Sequence, residues 1–323
     1  MLATTELAPD GTPLDPADLL ADATLTVVPS TSLRLRFDRF LLPATLLRQA
    51  ACLRSNLADV TDFTQCEGGV FLQPAYDPVR REVVLRQPAG DRLELDTAYK
   101  LTLFVPDIEG DCTGEDPTSC GFRAFDRAPL EQAYTVTFKT VAVDPGPVPD
   151  EAPPPADFCG GDGAAISFIG CGYSPCHAPT FNGPGAAAGL DLSGLLPGDT
   201  FDSFALRATA INRVSHQTQM GERAFDPEET PARFGRAMPI IDAFDPGTAG
   251  SPGNSYLLYK LLVGPSMDSA PADIRPSDEE MARLRNGLVV GLPMSADGSK
   301  LSGDALLALS NWIARGAPTP KCQ

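Results

Sequence analysis

Twelve residues near the middle of the chain, Asp144-Pro-Gly-Pro-Val-Pro-Asp-Glu-Ala-Pro-Pro-Pro155, contain six prolines. Proline lacks a backbone N–H and holds φ near one value, so this run forms neither a helix nor a central strand. It favours an extended, polyproline-type spacer. The rest of the chain must therefore fold on either side of it. At 323 residues the chain is also longer than one hydrophobic core usually serves. The expected organisation is a flexible segment over residues 1–21, a first domain over 22–143, a linker over 144–156 and a second domain over 157–323.

The first domain reads as strands. Leu33, Leu35 and Phe37 alternate with Arg34 and Arg36. Tyr99, Leu101, Leu103 and Val105 alternate with Lys100 and Thr102, and Tyr134, Val136 and Phe138 with Thr135, Thr137 and Lys139. Val83 to Leu85 and Leu93 to Leu95 flank a Pro-Ala-Gly-Asp turn. Side chains alternate between faces along a strand, so these period-two runs predict an antiparallel sandwich with one face of each sheet buried. Pro43 to Leu57 reads as a short helix between strands.

The stretch over about residues 22 to 142 resembles bacterial Ig-like domains of surface proteins. The matching residues are Val28-Pro29, Leu33-Arg-Leu-Arg-Phe37-Asp38, Leu95-Asp-Thr-Ala-Tyr99-Lys-Leu-Thr-Leu103, Val105-Pro-Asp-Ile-Glu-Gly110 and Tyr134-Thr-Val-Thr-Phe138. The resemblance implies an Ig-like β-sandwich and says little about activity.

After the linker the pattern turns helical. Ser255-Tyr-Leu-Leu-Tyr-Lys-Leu-Leu262 reads as a short amphipathic helix after Asn254 as N-cap. Ser277-Asp-Glu-Glu280 is a capping box that opens a helix towards Leu288. Ser302 begins a last helix with Leu306, Leu309 and Ile313 on one face, stopped by Gly316 and Pro318. The expected fold class is thus multidomain: an all-β sandwich followed by an all-α domain.

The chemistry concentrates at Cys171-Gly-Tyr-Ser-Pro-Cys176-His177. A covalent c-type haem needs two thiols for its thioether links and a His directly after the second, under the iron. The usual spacer is shorter than the four residues here, and a Cys171–Cys176 disulfide with an incidental His177 satisfies the same heptapeptide. The other six of the eight cysteines, 52, 66, 112, 120, 159 and 322, are an even number. They suit disulfides such as Cys52–Cys66, Cys112–Cys120 and Cys159–Cys322, one of many connectivities that six cysteines allow. Eight cysteines with only two histidines is poor zinc arithmetic and good export arithmetic.

Around that heptapeptide the chain is similar to a family of bacterial haem-c domains that includes small planctomycete-type cytochromes. The residues carrying this are Ala188-Gly-Leu-Asp-Leu-Ser193, Pro252-Gly-Asn-Ser-Tyr256-Leu-Leu-Tyr-Lys260, Gly291-Leu-Pro-Met294 and Asn311-Trp-Ile-Ala-Arg-Gly-Ala-Pro318, in the family's order across about residues 158 to 320. The resemblance implies one covalent haem c on Cys171 and Cys176, with His177 and Met294 as axial ligands of the iron. A neutral thioether opposite the imidazole favours ferrous iron. Met238, before Pro239, is the runner-up for the distal position, and His216 a more remote choice. Met281 reads as helix core, and Met220 and Met267 as loop residues.

The net charge of −17 repels nucleic-acid phosphates and anionic lipid. It suits a basic redox partner reached by salt-sensitive steering, or merely solubility. No apolar run reaches bilayer length. Met1 to Asp22 lacks the basic and apolar regions of a signal peptide, which leaves either a cytosolic chain or a mature exported one; the cysteine count favours the second, a periplasmic or outer-surface chain whose signal, and any lipid anchor, lay upstream. Asp107, Glu109, Asp111, Glu115 and Asp116 form an acidic loop that matches no strong calcium motif. Gly160-Gly-Asp-Gly163 lacks a P-loop lysine and reads as a flexible lead-in. The expected function is electron transfer rather than catalysis. The alternatives are a haem-free surface or adhesion protein and a peroxidase-like enzyme with an open distal site.

Overall fold

The computed structural model describes residues 1–4, 17–22, 24–107, 112, 119–144, 146, 190–191, 203–215, 238–243, 250–264, 274–285 and 301–318. The chain divides into two compact units. The first comprises Met1–Tyr76 and Arg81–Glu151, the second Asp77–Arg80 and Ala152–Gln323.

Nine strands are described: β1 (Leu2–Thr4), β2 (Ala17–Asp18), β3 (Thr26–Val27), β4 (Ser32–Arg36), β5 (Ala51–Arg54), β6 (Gln73–Asp77), β7 (Glu82–Arg86), β8 (Ala98–Leu103) and β9 (Tyr134–Thr140). They form a five-stranded sheet in the order β2-β1-β4-β7-β6 and a four-stranded sheet in the order β3-β9-β8-β5. The alternating runs at Leu33, Leu101 and Val136 fall on β4, β8 and β9. On β9 the pattern is strict, with Val136, Phe138 and Thr140 buried between exposed neighbours. Tyr99 and Phe138 are direct cross-strand partners, and their rings stack at 5.9 Å. Such a pair adds about 0.5–1.5 kcal/mol beyond the area it buries. On β7, Glu82 is 3% exposed and faces Arg34 at 3.6 Å and Arg36 at 3.7 Å, so its charge is matched from β4.

Several elements differ from the sequence expectations. Pro43 to Leu57 is not a helix. It is a 3-10 turn at Pro43–Thr45, another at Arg48–Ala50, and then β5. Ala51, Cys52, Leu53 and Arg54 pair antiparallel with Leu103, Thr102, Leu101 and Lys100, and that ladder outweighs local helix preference. Leu93 to Leu95 is not a strand, although Leu93 is buried and its N–H donates to the Pro29 carbonyl at 3.0 Å. Leu2–Thr4, read as flexible, lies between β2 and β4 in its sheet.

In the second unit the described helices are α1 (Ser203–Thr209), α2 (Tyr256–Leu262), α3 (Asp278–Arg283) and α4 (Gly303–Ala314). Ser277 and Ser302 cap α3 and α4: their hydroxyls accept from the N–H groups of Glu280 and Ala305, both at 3.1 Å. The α4 helix ends where Gly316 takes φ 81°, a conformation that costs glycine little. The Trp312 indole then donates to the Pro318 carbonyl at 2.7 Å.

These facts correct the expected fold class. The described chain is a mixed fold of sheets with four α-helices, not an all-β domain followed by a clearly helical cytochrome domain. The physical reason is local. Three of the four helices have only six or seven residues. Between them Ile211 bridges Ile241 and Val214 bridges Pro239 as extended chain. With 29 glycines and 32 prolines in the sequence, breakers stop helical runs that the apolar spacing alone would extend.

Candidate functional site

Cys171, Cys176, His177, Met294 and His216 all lie outside the described residues, as do Cys159 and Cys322. What the structure describes is the framework of the same unit. Leu190 is buried, and the Asp191 N–H donates to the Thr209 hydroxyl at 3.1 Å, tying that segment to the end of α1. Segments 210–215 and 238–243 run together: Ile240 N–H donates to the Arg213 carbonyl at 2.7 Å and Ser215 N–H to the Met238 carbonyl at 2.8 Å. The second segment then receives the start of α2, with Tyr256 N–H on the Pro239 carbonyl and Leu257 N–H on Ile240, both at 3.0 Å.

Ser255, expected inside the helix, is instead its N-cap position and a tether. Its hydroxyl donates to the Ser251 carbonyl at 2.8 Å and accepts from the Asp242 N–H at 2.9 Å. Asn254, the expected cap, bonds the Asp242 carboxylate instead. All seven residues of α2 are buried, so the helix is not amphipathic. A helix covered on every side belongs to an interior. Its Tyr259 hydroxyl is satisfied by the Gly253 carbonyl at 2.8 Å.

Three of the four segments that carry the haem-domain resemblance are thus described in part, at Leu190, Tyr256–Leu258 and Trp312–Ile313, and all of these are core positions. Met238, the runner-up ligand, has no exposure at all. A wholly buried thioether suits either a packing role or a soft ligand.

Two features escaped sequence reasoning. Lys260 is buried in the middle of α2, and desolvation pushes its ammonium below the usual lysine range. A single Lys inside an apolar heptad was the visible signal. Glu280 is 1% exposed and is ion-paired to Arg283 at 3.2 Å. Among the described residues no group of three or more His, Cys, Asp or Glu could hold a metal ion, and no helix is long and apolar enough to cross a membrane.

Two disulfides are present, Cys52–Cys66 and Cys112–Cys120. Both were among the pairings the cysteine spacing allowed. Cys52 packs with Val60 and Phe104 under Phe63 and Cys66, so the first bond lies in a small core of its own.

No family model matches the chain, and neither a curated protein nor a solved structure is significantly similar to it.

Proposed function

We propose that the chain is an exported c-type cytochrome of the kind its second half resembles, moving electrons on one covalent haem. The observation that carries this reading is the order Cys171-x4-Cys176-His177, Gly189-Leu190, Tyr256-Leu-Leu258, Met294 and Trp312-Ile313 along one unit. The donor chemistry fits the group: two thiols for the porphyrin edge, one imidazole and one thioether for the iron. When bound, the haem supplies a one-electron couple. In this reading Cys171 and Cys176 would anchor the haem, and His177 and Met294 would ligate its iron, which suits electron transfer rather than catalysis. The two disulfides support an oxidising, exported setting. The first unit serves as spacer or docking module for a redox partner.

A second reading is favoured by one observation. Both disulfides close short loops, with separations of 14 and 8 residues. A Cys171–Cys176 bond would be one more of that kind, in a haem-free surface protein.

The test is expression behind a signal peptide with the haem-c maturation machinery, followed by a haem stain of the denatured protein on a gel. The expected result is a band that keeps its colour after denaturation and loses it in Cys171→Ser/Cys176→Ser. A colourless wild-type band sinks the cytochrome reading and leaves the disulfide.

A further inference from the structure

We draw no further inference here: the strongest candidate, the largely apolar groove of the first unit lined by Phe37, Leu130 and Tyr134, carries side chains of both charge signs, and nothing in the structure shows what covers it.

Discussion

The N–H of Ser215 donates to the carbonyl of Met238 at 2.8 Å, across the extended pair that joins Val214 to Pro239. Ser215 immediately precedes His216 in the chain. Met238, the runner-up for the distal position, is thus held through its backbone to the segment that ends at Ser215.

Substitution separates the roles of Met238 and Met294. Met238 is wholly buried, so Met238→Ala should cost about 2–5 kcal/mol, while Met238→Leu should stay within about 1.5 kcal/mol. If Met294 is the ligand, Met238→Leu leaves the haem spectrum unchanged. Met294→Leu then abolishes the weak near-infrared band of thioether-ligated ferric haem and lowers the reduction potential. Absorption spectra and redox titration of the holoprotein check both.

Lys260 sets a pH dependence. Burial lowers its folded pKa below the ordinary 10.5, so the unfolded chain binds this proton more tightly. The penalty is present in full below the folded value, and stability is regained as pH rises from that value towards 10.5. Denaturant midpoints for wild type and Lys260→Met, taken from neutral pH to about 10, should show the wild type gaining relative to the variant as pH rises. Parallel curves would place the lysine head group in water.

Gly250 sits where no side chain fits. A Cβ there would lie 2.1 Å from the Ile313 carbonyl oxygen and 2.8 Å from that of Asp242. Both obstacles are backbone, so neither can rotate away. Gly250→Ala should destabilise the second unit by about 1–3 kcal/mol or more, read as a lower urea midpoint. A neutral result would mean that α4 slides without cost.

The cap of α4 is separable from its packing. Ser302→Ala removes the hydroxyl that accepts from Ala305 N–H and should cost about 1 kcal/mol; Ser302→Asp should restore it. Thermal unfolding of the three proteins, followed by circular dichroism, checks this.

The Cys52–Cys66 bond closes a loop with a sequence separation of 14. In the loop-closure view, Cys52→Ala/Cys66→Ala should lose about 3 kcal/mol. The loss should appear in the first unit, as reduced amide protection of β5 and of the Phe63–Gln65 turn.

Strands were legible where one face is buried and the other wet, because burial alternates with the pleat. That is why β9 could be read from Val136 and Phe138; on β4 and β8 the apolar alternation marked the strands, although Ser32 and Thr102 are buried as well. The two capping serines were legible because a cap acts within three residues of chain. Of the candidate site, only the residue types, the donor set and its order were in the sequence. Cys171, Cys176, His177 and Met294 stand on that alone, and Met238 is the one candidate ligand whose burial is described.

What the sequence determined by itself was local: the breaks imposed by proline, the alternating strands and the helix caps. The tertiary structure decided the rest. Ala51–Arg54 became a strand because β8 offered it partners. Tyr256–Leu262 lost its expected wet face because the fold closed around it, Lys260 included. Distant backbone supplied the other half of each decision, and no local window of sequence contains it.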